Sequence, residues 1–393
     1  MSEESKPLGG EVLTKPFKVL AGIFGFAVLL IIYRYFRGIG AVSNLNDGYP
    51  WGIWIAYDVV AGTAIACGGY SMALMVYVFN RGKYHALVRP ALLASMFGYT
   101  LAGASIMVDI GRYWNAYNLF LPGYFNVNSI MFEVAVCVTA YIVVLWIEFS
   151  PAFLEGINKY KSGLPKFVQN WNVEGLRTTL NKWLFVFIAI GVLLPTMHQS
   201  SLGSLMLIGG WKVHPLWQTG FLPLLFLISA ITMGYAIVIF ESLFASVGFK
   251  RASETPLLGK IAGVMAWLTA IYLAIRFADL VIRGALGLAF QLNLQSFMFW
   301  VENALYVAAL VFVAPPASRM QSRSLFLGGF FLLLAGTVYR FNAFLVGFNP
   351  GNNWSYFPSF AETMITLGII SFEIMAYLYI VKKFPVLPKP EHA

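Results

Sequence analysis

Apolar stretches of about 20 residues recur ten times along the chain, separated by short segments rich in Gly, Pro, Asn and charge. They cover roughly 17–36, 51–79, 90–111, 127–149, 181–201, 221–246, 257–282, 295–315, 324–346 and 360–382, each long enough as a helix to cross about 30 Å of hydrocarbon. The pattern predicts an all-α polytopic membrane protein of about ten transmembrane helices. Composition agrees: 59% hydrophobic and 11% charged residues fit no soluble domain of 393 residues. The ionisable residues left inside the spans gather toward one face of the bilayer, and buried charge in hydrocarbon usually marks a pathway or a binding site.

The net charge of +9 is unevenly spread. With span-end residues assigned to the adjoining connection, the odd connections hold Arg34, Arg37, Arg112, Lys212 and Arg283, and Arg276 and Arg340 lie within spans. The other 19 of the 26 Lys and Arg residues lie in the two tails and the even connections. The positive-inside rule then places both termini and the even connections in the cytoplasm. Arg81, Lys83, Arg89, Lys250 and Arg251 are read as topology signals and lipid-headgroup contacts, not as a nucleic-acid surface. The first residues carry acids as well as lysines and no small-residue cleavage site follows, so the first span is expected to be an uncleaved anchor. The inner connection from about 150 to 180, with Lys159, Lys161, Lys166 and Trp171, is expected to lie on the headgroups as a short helix.

The outer connections are long, poor in charge and rich in aromatics: Gly48 to Trp51, Trp114 to Phe125, Gly203 to Leu216 and Phe348 to Pro358. Such a composition suits a protein-docking surface. One stretch also appears twice. Asn126 to Glu133 (NVNSIMFE) opens the fourth span, and Asn293 to Phe299 (NLQSFMF), followed by Glu302, opens the eighth. Asp109 and Arg112 close the third span as Asp279 and Arg283 close the seventh. An offset of four helices keeps both copies in the same orientation, a parallel repeat. The expected organisation is 1–50 as tail, first helix and outer loop, 51–220 and 221–359 as two four-helix bundles, and 360–393 as last helix and tail.

Counting 1.5 Å per residue, Asp58, Glu133 and Glu302 lie about 10 Å below the outer face, where Asp109, His198, Arg276, Asp279 and Arg340 also gather. Glu148 and Glu241 fall near the inner face and Glu373 near the middle. Buried salt bridges, Arg276 with Asp279 and Arg112 with Asp109, account for the cations. Asp58, Asp109, Glu133 and His198 have few cations to neutralise them and are candidates for proton chemistry. Cys67 and Cys137 sit inside spans without metal-ligand spacing, so no metal or iron–sulfur cluster is expected on this chain. His198 is the only one of four histidines inside a span, which excludes a haem held by two histidines; the methionines are read as packing.

The residues carry a further signal. Pro50 to Asp58 (PWGIWIAYD), Cys67 to Gly69, His85 to Pro90 (HALVRP) and Asp109 to Trp114 (DIGRYW) are followed by Leu194 to Met206 (LPTMHQSSLGSLM) and His214 to Gln218 (HPLWQ). Phe348 to Gly351 (FNPG) and Phe357-Pro358 complete the set. Together these resemble the NrfD/PsrC family of membrane subunits, in particular those of periplasm-facing [NiFe] hydrogenases of the hydrogenase-2 type, over almost the whole chain. The resemblance implies a haem-free, ten-helix subunit of anaerobic respiration. Its partners would be a ferredoxin-like iron–sulfur subunit and the hydrogenase small and large subunits on the periplasmic side. Its substrate would be a quinone, menaquinone first, held in the first four-helix bundle near the outer face.

Quinone reduction takes two electrons and two protons. The expected assignment gives His198 or Tyr57 a quinone carbonyl, Asp58, Asp109 and Arg112 positioning and proton delivery, and Glu133 the entry of a relay through Tyr99, Glu241 and Glu373. Tyr57 and Tyr99 could equally be packing aromatics. A passive anchor for iron–sulfur subunits and an ion-coupled secondary transporter are the competing readings. The first leaves the acidic belt unexplained, and the second lacks paired broken helices in inverted positions.

Overall fold

The computed structural model describes residues 7–159, 172–351 and 353–387. Among them, ten helices are long and apolar enough to span a membrane. They are α1 (Lys15–Arg37), α2 (Trp54–Val78), α3 (Val88–Asp109), α4 (Ile130–Lys159), α5 (Val173–Ile208), α6 (Leu222–Gly248), α7 (Thr255–Ile282), α8 (Leu294–Val313), α9 (Ser322–Val346) and α10 (Phe360–Lys383). The chain is a multi-pass, all-helical membrane protein. "Outer" below means the end predicted by charge to face outward.

Helices α2 to α5 pack in succession and close through α2 against α5, and α6 to α9 do so through α6 against α9. The two groups meet where α6 crosses α5 and α2, and where α9 lies on the first turns of α2. Helix α1 pairs with α10, which rests on α3. Burial follows: the apolar windows of α2 and α6 are 78% and 72% buried against 6% for α1, so α1 offers its apolar side chains to lipid while α2 and α6 face protein.

The central contact shapes α2. Its Trp54–Ala61 and Leu74–Val78 segments wind as π-helix, and the helix breaks at Ala66 and Cys67. A Cβ at Gly234 of α6 would overlap the Cys67 carbonyl and the Ser71 hydroxyl, so glycine alone permits this approach. The Gly69 amide, freed by the break, donates to Ser95 Oγ of α3 at 2.8 Å. π-Turns are uncommon and occur mostly at functional sites; the first of these carries Asp58.

Two helices run further than the hydrophobic pattern predicted. α4 continues beyond 149 through Pro151 to Lys159. Proline cannot donate to the Ile147 carbonyl, and the Ser150 hydroxyl does so instead at 2.7 Å. α5 begins at Val173, capped by Asn172, whose side chain accepts from the Gly175 amide at 3.0 Å. The ends of the expected 150–180 surface helix therefore belong to α4 and α5, and residues 160–171, with Lys161, Lys166 and Trp171, lie outside the described residues. α10 starts at a capping box in which Ser359 and Glu362 bond each other's backbone amides.

Candidate functional site

The buried polar side chains form separate groups. At the outer end Asp58 is enclosed by α2, α3 and α10, accepting from the Thr366 hydroxyl at 3.2 Å with Ser105 also facing it. Asp109, the last residue of α3, has one carboxylate oxygen buried without a partner. The expected Arg112–Asp109 pair is absent among the described residues: Arg112 is exposed where α3 has ended and a 3-10 turn begins. The cation near Asp109 is Arg34 of α1, which sequence reasoning counted only as a loop charge. Arg34 is buried, donating to the Val108 carbonyl at 2.8 Å and to the Ile110 carbonyl. It caps the C-terminal end of α3, where orphan carbonyls concentrate negative potential.

Glu362 was also missed, although Ser359-x-x-Glu362 is a legible capping box. It accepts from Tyr356 Oη at 2.7 Å and from the Asn44 amide at 3.0 Å, tying the last outer loop to the first. Burial, then the hydrogen bond to Glu362, raises the Tyr356 pKa well above its ordinary value, so this hydroxyl stays a donor at neutral pH.

A second group centres on His198. It is fully buried, with Nε2 3.3 Å from Tyr99 Oη and 3.1 Å from Gln199 Nε2. Tyr99 Oη also lies 3.5 Å from Cys67 Sγ, and its ring meets Tyr141 edge-on. Gln199 reaches Thr63 on α2 and Arg340 on α9. Glu133 stands apart at the start of α4, half-buried, accepting from Ser201 Oγ of α5 at 2.9 Å. Tyr57 is half-buried, 6.0 Å ring to ring from Phe341 and within electrostatic reach of Asp58 and Glu373.

The relay candidates therefore divide. Asp109, Asp58, Glu373 and Glu241 follow one another in electrostatic reach from α3 through α2 and α10 to α6. Tyr99 belongs with His198, and Glu133 with Ser201. Glu241 lines a cavity of about 50 Å³ at the inner end, together with Tyr377, Ser242, Ser246, Arg251 and Glu254. That space exceeds the roughly 10–15 Å³ one water needs, and polar side chains stand among the apolar ones that line it. Glu148 lies near the inner ends as well, against Gly191 of α5.

In the second half the cations are matched differently from the expected Arg276–Asp279 pair. Arg276 pairs with Glu302 at 3.0 Å, both essentially inaccessible, and Arg283 pairs with Asp279 at 2.7 Å. Along a helix, Asp279 and Arg283 are one turn apart and meet, whereas Arg276 points across to α8. Glu302 also accepts from Trp217 Nε1 at 2.9 Å and Asn342 Nδ2 at 2.8 Å. Glu302 and Asp279 are thus neutralised within the chain, whereas Asp58, Asp109 and Glu133 have no arginine in an ion pair among the described residues.

Aromatics on the outer connections stand exposed, among them Trp114, Tyr117, Phe120, Tyr124, Trp211, Phe290 and Phe357.

The family described as polysulphide reductase, NrfD, matches residues 41–349. A probable Ni/Fe-hydrogenase 2 b-type cytochrome subunit of Escherichia coli (strain K12) is 46% identical over 99% of this chain and 96% of its own length. The integral membrane subunit of a menaquinone reductase from Nitratidesulfovibrio vulgaris is 26% identical over 93% of this chain and 90% of its own. The integral membrane subunit of an Hdr-like menaquinol oxidoreductase from Archaeoglobus fulgidus is 22% identical over 94% of this chain and 93% of its own.

The first of these names implies a b-type haem, and the spans offer no pair of histidines to hold one. His198 is the only histidine within α1 to α10, and its Nε2 already faces Tyr99 and Gln199. His85 is exposed in the turn before α3, and His214 accepts from the Leu216 amide in an outer loop. The ten apolar helices, the polar groups set between them and a match that spans most of the sequence lead to one assignment: the chain belongs to the NrfD family.

Proposed function

We propose that this chain is the quinone-reactive subunit of a hydrogen:quinone oxidoreductase complex in a bacterial inner membrane, with both termini cytoplasmic. A [NiFe] hydrogenase would release two electrons and two protons from each hydrogen molecule on the periplasmic side. The electrons would pass through iron–sulfur subunits, including a ferredoxin-like one seated on the outer aromatic loops, to menaquinone held in the first helix group, α2 to α5, near the outer face. The quinone takes up those two electrons, together with two further protons delivered through this chain, to become quinol. The observation that carries this reading is the buried set of acids at the outer end, close to an exposed aromatic surface, in a chain 46% identical to a named hydrogenase subunit. A passive anchor would have no use for such acids, which are costly in hydrocarbon.

Within the site, Asp58 and Asp109 lie where the quinone head would come nearest the docked iron–sulfur subunit. Tyr57 and His198 offer hydroxyl and imidazole groups for the quinone oxygens, while exposed Arg112 belongs to the rim. The succession Asp109, Asp58, Glu373, Glu241 and the inner cavity provides a proton path toward the cytoplasm, while Glu133 and Tyr99, which stand outside it, would serve the quinone separately.

The complex reconstituted in menaquinone-containing vesicles is expected to reduce quinone with hydrogen, and the same hydrogenase and iron–sulfur subunits without this chain are expected to reduce only soluble dyes. Equal quinone reduction by both preparations would remove the chain from the electron path. Docking is tested separately. Trp114→Ala and Trp211→Ala are each expected to weaken attachment of the iron–sulfur partner, since a central interface aromatic contributes ~2 kcal/mol or more. Unchanged co-purification of the partner with both variants would move the docking surface elsewhere.

A further inference from the structure

Arg340 is fully buried on α9, yet no carboxylate pairs with it among the described residues. Its Nη2 reaches across to α5 and donates to Gln199 Oε1 at 3.3 Å, while Nη1 donates to Ser229 Oγ at 3.2 Å. A guanidinium has only donors, so the Gln199 oxygen must face it and the amide nitrogen must face the other way. Thr63 fixes the same choice independently. Its one hydroxyl proton goes to the Val59 carbonyl at 2.6 Å, leaving Thr63 Oγ1 to accept from Gln199 Nε2 at 3.1 Å. Exchanging oxygen and nitrogen in this amide would oppose donor to donor at Arg340 and acceptor to acceptor at Thr63.

The amide nitrogen so fixed is also 3.1 Å from His198 Nε2. A donor there requires Nε2 to be the unprotonated nitrogen, so a neutral His198 carries its proton on Nδ1. Nδ1 has no partner of good geometry, its neighbour being the Leu194 carbonyl one turn earlier. We propose that Arg340 is a positioning residue which, through Gln199, holds His198 in the Nδ1–H tautomer, with Nε2 the acceptor that Gln199 and Tyr99 share. A residue of the second helix group thereby decides on which side a histidine of the first group takes up a proton and from which side it gives one. The tautomer assignment stands on the hydrogen bonds alone; only its consequence for turnover rests on the quinone reading above.

The test is nitrogen-15 NMR of the full chain in lipid nanodiscs, labelled at histidine, with the His198 signals identified by their loss in His198→Ala. In the native chain the protonated nitrogen is expected to be Nδ1. Gln199→Glu keeps the side-chain shape and gives Arg340 a carboxylate, but presents an acceptor to Nε2, so the proton is expected on Nε2. Arg340→Met is expected to free the amide and populate both tautomers. A native His198 protonated at Nε2, or a proton that stays in place in both variants, overturns the proposal. If Arg340→Met does not fold, the native chain and Gln199→Glu decide the matter. In the assembled complex, Arg340→Met is expected to lower kcat for quinone by roughly tenfold or more with little change in KM, and Arg340→Lys to restore part of it. Should the complex prove inactive toward quinone altogether, the proposed function fails while the NMR result still stands or falls by itself.

Discussion

Glu133→Gln in the assembled complex is expected to leave hydrogen-driven dye reduction nearly intact and to lower quinone reduction by roughly a hundredfold or more. Dye reduction needs only the hydrogenase and iron–sulfur subunits, whereas quinone reduction also needs protons delivered inside this chain. Glutamine keeps the size of the side chain and an oxygen to accept from Ser201 Oγ, so the α4–α5 contact survives the change. It cannot hold and release a proton. His198→Ala is expected to separate the two activities in the same way, because it removes the acceptor shared by Tyr99 and Gln199. Loss of assembly and of membrane-bound dye activity together would instead mark these residues as structural. Normal quinone turnover in both assembled variants would exclude them from the reaction.

Arg276→Met is expected to cost about 3–5 kcal/mol of stability, read as a lower unfolding temperature of the purified chain or as failed assembly, because it leaves the buried Glu302 carboxylate without its counter-charge. Glu302 meets Arg276, Trp217 and Asn342, so α7, α8, α9 and the loop before α6 converge on one carboxylate. Tyr339 and Phe299 lie against the guanidinium at 5.0 Å and 5.3 Å, adding cation–π contact. The double variant Arg276→Met/Glu302→Gln removes both charges and keeps an amide oxygen for Trp217 and Asn342. It is expected to recover most of the lost stability. A double variant no more stable than Arg276→Met would show that the ion pair is not what holds these helices.

The two helix groups treat matching acids differently. Asp279 closes α7 as Asp109 closes α3, and Glu302 lies in the first turns of α8 as Glu133 does in α4; Asp279 and Glu302 are each held by an arginine. Asp109 and Glu133 are not held in this way among the described residues. Similar acids are thus tied into ion pairs on one side and left without one on the other.

The sequence by itself determined the number of spans and the class of fold, because hydrocarbon admits only long apolar helices with their backbone satisfied internally. It also located the ionisable residues along the spans, the aromatic connections and the solitary span histidine, since each is a matter of residue type and short spacing. Helix ends were legible only where a cap or a proline acted alone. The passage of α4 through Pro151 depended on one serine hydroxyl, and hydropathy does not see it. What the tertiary structure alone decided is which charges meet. Arg276 turns to Glu302 instead of Asp279, Arg34 caps α3 from another helix, and Arg340 fixes Gln199 from across the two helix groups. These contacts join residues from 26 to 141 positions apart in the chain. A periodic pattern tells which residues share a face of one helix, but helix rotation and packing decide which faces oppose each other.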